Sequence, residues 1–287
     1  MARPKILITG GTDGIGQLAA LELARSGAHL ILTARSEAKA DRTRAMIEAA
    51  APGTPVDVHL VDFSDLAAVA ATGKAIAERH PHIDVLINNA GLHAFQQRIT
   101  KDGYAEMIAV NYMAPWLLTN ALRETLVHSA PSRIVTVGSE ASRQSGDLEI
   151  EKDLFDTAPF TARGSSRIYG RTKLLDIMFS LELAQQLEDT GVAVNCLCPG
   201  FNVTGLGREL SFARPLATAL NWLGIGNPAH GARIIVHLAT DPGFGEQTGA
   251  YVSVKNARPL TPIAPADSEQ TRRQLWDTTA AALACFR

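Results

Sequence analysis

The chain has 287 residues, with 27 basic and 29 acidic side chains and a formal net charge of -2. This length suffices to bury a full core, and it fits one large α/β domain better than two small ones. The near-zero charge excludes the basic surface typical of proteins that bind nucleic acid or anionic membranes. No apolar run approaches the ~18 residues of a membrane-spanning helix. Cys196, Cys198 and Cys285 lack metal-ligand spacing, so we predict a cytoplasmic protein without a metal site.

The chain begins with a short apolar strand at residues 5–8, which leads into a glycine-rich loop and then into a helical pattern. This start is typical of a strand and not of a signal peptide. In such a turn, backbone N–H groups and the helix dipole face an anion, and glycines let a pyrophosphate approach. The sequence therefore predicts a dinucleotide site. The expected contacts are Gly10, Thr12, Asp13, Gly14, Ile15 and Gly16.

Strand and helix patterns alternate along the rest of the chain. Such alternation predicts a doubly wound, Rossmann-like parallel sheet with helices on both faces, in a single domain spanning residues 1–287. Ligands bind beyond the carboxyl ends of the strands in such sheets. Further strands are predicted at residues 28–33, 56–61, 84–87, 132–138, 192–197 and 251–254, and helices at 37–50, 65–80, 104–128, from 168 onward and at 228–240.

Tyr169 and Lys173 are four residues apart in a long helical pattern, so they share one helix face. A phenol ordinarily ionises near pH ~10. A nearby ammonium favours the phenolate, and such a Tyr exchanges a proton with an alcohol or ketone oxygen nearer neutral pH. By itself the spacing is equally compatible with a surface Tyr and a surface Lys, and the neighbouring motifs decide between the two interpretations.

The motifs, taken together, resemble those of the short-chain dehydrogenase/reductase family from Lys5 to near the end of the chain. Each motif alone has a structural explanation, such as a helix cap or a turn, but all occur in order on the expected elements. They are T-G-x-x-x-G-x-G at Thr9 to Gly16, Asp62, N-N-A-G at Asn88 to Gly91, Asn111, Ser139, Tyr169-x-x-x-Lys173, and Pro199-Gly200-x-x-x-Thr204.

The resemblance implies a role for each motif residue. Tyr169 would be the general acid/base, Lys173 would lower the pKa of Tyr169 and hydrogen-bond the nicotinamide ribose, and Ser139 would hold the carbonyl oxygen. Asn111 would hold a water that connects Lys173 with solvent, and Asp62 would accept from the adenine amino group. The remaining implied cofactor contacts are Phe63, Asn89, Ala90, Gly91, Pro199, Gly200, Asn202 and Thr204, of which Asn202 replaces a usually apolar residue.

Cofactor choice depends on the end of the second strand. NAD enzymes usually place an Asp or Glu there, whereas this chain has Arg35, which can clamp a 2′-phosphate. Against this, Asp13 stands in the glycine loop where an acidic side chain would repel a phosphate. The sequence favours NADP, with NAD as the alternative.

Ser139 and Tyr169 are 30 positions apart, and the intervening segment 147–153 resembles the insertion of retinol-dehydrogenase-like and WW-domain-oxidoreductase-like members. This subgroup implies redox chemistry on apolar carbonyls or alcohols. Residues 205–227, rich in Leu, Phe, Trp and glycine, are predicted to form a helical substrate lid. Two alternatives stay open: a reductase of conjugated C=C bonds, and a non-catalytic NADP-binding sensor or scaffold. Family analogy suggests a homodimer or homotetramer.

Overall fold

The computed structural model describes residues 3–200 and 227–287. Within these ranges seven strands form one sheet in the order β3-β2-β1-β4-β5-β6-β7, and all neighbouring strands are parallel. The predicted doubly wound sheet is thus confirmed. The strands are β1 (Lys5–Ile8), β2 (His29–Ala34), β3 (Val56–Leu60), β4 (Val85–Asn88), β5 (Ser132–Val137), β6 (Val192–Cys198) and β7 (Tyr251–Ser253).

Helices cover both faces of the sheet. No helix in the described ranges is both long and apolar enough to cross a bilayer. The helices are α1 (Gly14–Arg25), α2 (Glu37–Ala50), α3 (Leu66–Arg79), α4 (Glu106–Ile108), α5 (Ala114–Ala121), α6 (Arg123–His128), α7 (Ile150–Leu154), α8 (Ala162–Gln186), α9 (Pro228–Thr240), α10 (Gly243–Glu246) and α11 (Glu269–Ala282), with a π-helical segment at Ala109–Met113 and 3₁₀ turns at Glu140–Gln144 and Ala284–Phe286.

The core has two layers because successive strand residues point to opposite faces. Leu7 of β1 packs into the layer formed with α3, α5, α8 and α11. Its neighbours Ile6 and Ile8 pack into the layer formed with α1 and α9. All three side chains are fully or almost fully buried. The apolar side chains of this strand are therefore buried on both faces of the sheet, as is typical of parallel sheets.

The helix predicted over residues 104–128 is interrupted in the structure. A π-helical segment at Ala109–Met113 separates α4 from α5, and the Ala114 N–H donates to Ala109 O. Pro115 follows immediately. It has no N–H, so it cannot make the α-helical bond to the carbonyl of Asn111. Single-turn π segments of this kind often occur at functional sites.

Helix α8 lies against the turn that follows β5. Gly170 of α8 approaches this turn so closely that an added Cβ would lie 2.5 Å from Ala141 O and 3.1 Å from Ser145 N. Only glycine permits this spacing. The contact brings Tyr169, the residue before Gly170, to the carboxyl end of the sheet.

The predicted lid at residues 205–227 lies outside the described residues except for Asn227. The side chain of Asn227 caps α9 by accepting from the Ala229 N–H at 2.9 Å. The lid stays a prediction.

We expect Gly170→Ala to lower the free energy of unfolding by about 1–3 kcal/mol, the usual cost of forcing a methyl group into a packed site. Gly164→Ala on the same helix is the matched control. Its Cβ would meet only Phe160 Cβ at 3.4 Å, so removing glycine from the helix should stabilise it by roughly 0.5–1 kcal/mol. Urea unfolding followed by circular dichroism measures both changes. Equal stability of the two variants would contradict the close approach of α8 to the turn.

Candidate active site

Tyr169 and Lys173 lie on α8 at the carboxyl end of β5. The Lys173 Nζ is 5.8 Å from the centre of the Tyr169 ring. It donates to Val137 O, at the end of β5, at 3.0 Å and to Asp176 Oδ2 at 2.9 Å. Lys173 is only 5% exposed, whereas Tyr169 is partly exposed. The helix therefore places a buried ammonium beside a partly exposed Tyr ring.

Asn111 joins the loop after β4 to helix α8. Its Oδ1 accepts from the Leu92 N–H at 2.8 Å, and its Nδ2 donates to Leu92 O and to Thr172 Oγ1, both at 2.9 Å. The Thr172 hydroxyl in turn donates to Tyr169 O at 2.8 Å. The side-chain amide is thus committed to protein contacts. A water held by Asn111, as the family resemblance implies, would have to bind its backbone carbonyl.

Ser139 and Ser142 occupy different environments in the turn after β5. Ser139 is partly exposed and caps the 3₁₀ turn by accepting from the Ala141 N–H at 3.1 Å. Ser142 is buried beneath the turn with 3% exposure. Gly170, the residue after Tyr169, packs on this same turn, so the turn that begins at Ser139 lies against α8 next to Tyr169 in the chain. Of the two hydroxyls, Ser139 is the one accessible to a small molecule.

The sequence predicts a lowered pKa for Tyr169, but its surroundings in the structure raise that pKa. Desolvation raises the pKa of Tyr169; Lys173 lowers it, and Asp176 and Cys198 raise it. The net shift is upward from the ordinary value. The prediction was right for the contribution of Lys173 and wrong for the sum. The largest cause of the raised pKa is burial of the phenol itself, and the Asp176 carboxylate adds to it. The Tyr169-x-x-x-Lys173 spacing indicated neither effect.

His93 is a further neighbour of Tyr169 that the sequence motifs did not identify. Its ring stacks on the Tyr169 ring at a centroid distance of 4.6 Å and an interplanar angle of 14°, and on Phe95 at 4.7 Å. Its Nε2 is 3.2 Å from Ser165 Oγ, one turn before Tyr169 on α8. An aromatic surface therefore lies directly beside the phenol. The only sequence signal for it was its position two residues after N-N-A-G.

The glycine-rich loop is held against the end of β4 by Thr9 and Asn89. Thr9 Oγ1 accepts from the N–H groups of Asn89 and Ala90, both at 2.9 Å, and Asn89 Nδ2 donates to Thr9 O at 2.8 Å. A Cβ at Gly16 would lie 2.3 Å from Asn89 Nδ2. Asn89 Oδ1 is buried without a hydrogen-bond partner among the described residues.

This loop has the features of a phosphate-binding turn. Gly10 and Gly14 have φ values of +64° and +53°, which other residues rarely adopt. Helix α1 begins at Gly14, and the N–H groups of Ile15 and Gly16 have no acceptor in the described part of the chain. Free N–H groups at a helix N-terminus attract an anion. The residues present therefore fit a dinucleotide pyrophosphate.

The negative charge of Asp13 in this turn is compensated by neighbouring groups. Its Oδ1 caps α1 by accepting from the Gly14 N–H at 2.8 Å, and its Oδ2 forms an ion pair with Lys39 Nζ at 2.6 Å. The repulsion expected from the sequence is thus offset by a basic residue on α2. Arg35, at the end of β2, is exposed and has no ion-pair partner in residues 3–200 and 227–287. Arg35 and Lys39 are two basic residues near the start of α2, and the motifs alone identified only Arg35.

Of the remaining predicted contacts, Asp62 keeps one carboxylate oxygen for a ligand. Its Oδ1 accepts from the Ser64 N–H at 2.9 Å and the Ser64 hydroxyl at 2.8 Å, while its Oδ2 makes no hydrogen bond within the described residues. The Phe63 side chain is buried in the core, so only its backbone can face a cofactor. Gly200 has φ +74°, and a Cβ there would lie 2.8 Å from Val254.

Asn202 and Thr204 lie outside the described residues, and Pro199 is partly buried after β6. Thr12 is 8% exposed, and Ile15 packs against the core layer under α1. Among residues 3–200 and 227–287, no group of three or more His, Cys, Asp or Glu side chains is arranged to hold a metal ion.

A family model described as short chain dehydrogenase matches residues 4–150, which is just over half of the chain. The chain belongs to the short-chain dehydrogenase family. Retinol dehydrogenase 14 from Mus musculus is 35% identical over 285 residues, which cover 95% of this chain and 83% of the relative. Human retinol dehydrogenase 13 is 30% identical over 280 residues, which cover 96% and 83%. Within the family the chain falls into the retinol-dehydrogenase-like subgroup.

Solved structures of the short-chain dehydrogenase family share this fold. A Pseudomonas aeruginosa RhlG/NADP active-site complex matches with a TM-score of 0.67 and 24% identity, over 88% of this chain and 95% of that one. Levodione reductase matches with a TM-score of 0.70 and 22% identity, over 87% and 95%. At these identities the likeness supports the fold alone.

We expect Thr9→Val to lower the free energy of unfolding by roughly 2–4 kcal/mol, because it leaves the N–H groups of Asn89 and Ala90 unsatisfied at a buried site. Thr136→Val is the matched control, since the Thr136 hydroxyl is buried without a hydrogen-bond partner among the described residues. Its replacement should change stability by less than about 0.5 kcal/mol or increase it. Denaturant unfolding of both variants measures the difference, and a Thr9→Val variant as stable as Thr136→Val would refute the anchoring role.

Proposed function

We propose that this protein transfers a hydride between a nicotinamide cofactor, NADP(H) by preference, and an apolar aldehyde, ketone or alcohol. The observation that carries the proposal is the arrangement at the carboxyl end of β5. There the Lys173 ammonium lies 5.8 Å from the Tyr169 ring, and Asn111 connects their helix to the loop after β4. A bound nicotinamide supplies or accepts the hydride.

Each residue of the site has one task in this proposal. The Tyr169 hydroxyl donates a proton to the substrate oxygen during reduction and takes it back during oxidation. The Ser139 hydroxyl donates a hydrogen bond to the same oxygen, where negative charge develops. Lys173 uses two of its three N–H groups on Val137 and Asp176, and the third is left for the nicotinamide ribose. Asn111 holds the loop that follows β4 against helix α8.

For the cofactor, Asp62 Oδ2 is the acceptor for the adenine amino group, and the N–H groups of Ile15 and Gly16 receive the pyrophosphate. Arg35 and Lys39 bind a 2′-phosphate, and Lys39 cancels the charge of Asp13 at 2.6 Å. NAD(H) lacks the group that this basic pair recognises, so it should bind more weakly.

Two observations support an apolar substrate. The stacked rings of Phe95, His93 and Tyr169 form an aromatic surface next to the reacting hydroxyl. Two relatives, at 35% and 30% identity, are named retinol dehydrogenases, and retinol is an apolar alcohol. A cytoplasmic location and assembly into a dimer or tetramer stay predictions from the sequence.

The proposal is tested by following NADPH absorbance with aldehydes and ketones of graded length. Each buried methylene contributes ~0.8 kcal/mol, so kcat/KM should rise about three- to fourfold per added carbon until the pocket is full. Tyr169→Phe should then lower kcat by about 10²–10⁴-fold, the usual contribution of general acid catalysis, with NADPH affinity unchanged. Tyr104→Phe is the control, because the Tyr104 hydroxyl contacts only Ala282 O within the described residues.

Near-normal turnover by Tyr169→Phe would refute the assignment of the proton donor. Preference for small polar carbonyls would refute the apolar substrate. Turnover confined to conjugated C=C bonds would favour the enoyl-type alternative, and cofactor binding without any turnover would favour the sensor alternative.

We expect NADPH to bind more tightly than NADH by roughly ten- to a hundredfold, as charge-assisted hydrogen bonds to a 2′-phosphate contribute about 1.5–3 kcal/mol. Arg35→Ala and Lys39→Ala should each weaken NADPH binding. Arg35→Ala should leave NADH binding unchanged. Arg44→Ala is the control on the same helix as Lys39, since Arg44 pairs with Asp41 on the surface. Nucleotide fluorescence titration measures the affinities, and equal affinity for the two cofactors would show that the basic pair is not a phosphate site.

A further inference from the structure

Asp176 is a buried carboxylate in the site to which the proposed reaction gives no task. It lies one turn after Lys173 on α8 and is 2% exposed. Its Oδ2 accepts from Lys173 Nζ at 2.9 Å, and its Oδ1 is buried without a hydrogen-bond partner in the described part of the chain. A buried charge is costly unless it is well paired. A half-satisfied carboxylate at this position therefore needs an explanation beyond stability.

The titratable groups that face Asp176 from other elements are neutral at physiological pH. Burial raises the pKa of Cys196 on β6 to about 12, and burial also raises the pKa of Tyr112 on the π-helical segment above its ordinary value. On α8 itself the facing groups are Lys173 and Tyr169. Lys173 and Asp176 are thus the two charges here, and Asp176 decides whether the charge of Lys173 is compensated.

We propose that Asp176 is a positioning residue that fixes the Lys173 ammonium and, by compensating its charge, sets the pH range in which Tyr169 exchanges its proton. This inference rests on the proposed roles of Tyr169 and Lys173. It assigns to Asp176 a task that the four motif residues do not perform.

The positioning follows from hydrogen-bond geometry. The Lys173 ammonium has three N–H donors, and Val137 O at 3.0 Å and Asp176 Oδ2 at 2.9 Å take two of them. With two acceptors fixed on β5 and α8, the direction of the third N–H is also fixed. Without Asp176 the long Lys side chain would keep a single anchor and could rotate about it.

The charge compensation follows from the signs of the neighbouring charges. Lys173 lowers the pKa of Tyr169 and Asp176 raises it. Burial raises the pKa of Asp176 itself to about 6, against the lowering effect of Lys173. Above pH 6 the carboxylate therefore offsets the ammonium, and Tyr169 keeps its proton to higher pH. Removal of the negative charge should let Tyr169 ionise at lower pH.

The test uses the whole protein labelled with ¹³Cζ-tyrosine, which gives four signals because the chain has four Tyr residues. Tyr169→Phe assigns the relevant signal. Asp176→Asn keeps an acceptor oxygen for Lys173, so both hydrogen bonds and the Lys173 proton are retained while the charge is lost. We expect the Tyr169 signal of Asp176→Asn to titrate about one pH unit lower than in the wild type, in line with shifts of about 1–3 units caused by close charges.

Glu182→Gln is the matched control. Glu182 is also on α8, is 2% exposed and has one carboxylate oxygen without a partner among the described residues, but it lies more than two turns beyond Lys173. Its neutralisation should leave the Tyr169 titration unchanged. A Tyr169 signal that titrates at the same or a higher pH in Asp176→Asn than in the wild type would overturn the charge role.

Asp176→Ala separates positioning from charge and covers the case in which Asp176→Asn does not fold. It should shift the Tyr169 titration as Asp176→Asn does, and it should also weaken NADPH binding by about fivefold through the lost anchor, which Asp176→Asn should not. Equal NADPH affinities of the two variants would overturn the positioning role. Because the titration needs no turnover, a protein that proves inactive on every carbonyl would refute the proposed function and leave this inference testable.

In the active enzyme the pH dependence of kcat/KM gives the same information. The limb that reports Tyr169 should move to lower pH in Asp176→Asn, both for reduction and for oxidation, with no such movement in Glu182→Gln. A merely structural role of Asp176 would lower kcat/KM at all pH values without moving this limb.

Discussion

A parallel sheet ends all its strands at one edge, and the backbone groups just beyond that edge must find partners outside the strand ladder. In this protein the side chains that provide those partners are the same ones that form the site. The Thr9 hydroxyl satisfies two N–H groups after β4, Asn111 satisfies both backbone groups of Leu92, and Lys173 satisfies Val137 O at the end of β5. The cofactor loop, the loop after β4 and α8 are therefore held in one arrangement by the hydrogen bonds that close the sheet edge.

Because the same side chains close the sheet edge and form the site, the site contains buried charged groups. Lys173 can reach Val137 O only from within the protein, where burial opposes its ionisation; Asp176 and Tyr169 outweigh that effect and raise the pKa of Lys173. Asp176 receives less compensation, and burial raises its pKa to about 6. Breaking such a pair from one side leaves an uncompensated charge, which typically costs about 3–5 kcal/mol. The stability of the α8 region and the proton affinity of Tyr169 are consequently properties of the same three side chains.

The order of strands and helices was predictable from sequence because each strand is a short apolar run and each glycine or polar motif marks its carboxyl end. Asn111, Tyr169 and Lys173 were identified through the motifs of the family that the chain resembles, and the structure brings them together. Three features were not predictable. The π-helical segment depends on Pro115 acting four residues beyond Asn111, the compensation of Asp13 depends on Lys39 in the next helix, and the stacking of His93 on Tyr169 depends on how a loop folds back. The last two arise from tertiary contacts that no local spacing encodes, and the first needs the effect of a proline inside a helical pattern to be recognised.

Two buried histidines near Asp57 add a second pH dependence that must be separated from that of the site. Burial lowers the pKa of both His59, in β3, and His80, which directly follows α3 and lies near Asp57. The unfolded chain then binds more protons than the folded one as pH falls below about 6.5, so stability is present above that pH and is lost on acidification. Asp176 acquires its proton in the same range. A fall in activity near pH 6 therefore reports on the site only where the folded fraction, measured at the same pH, stays constant, because the histidines and Asp176 gain protons over the same pH range.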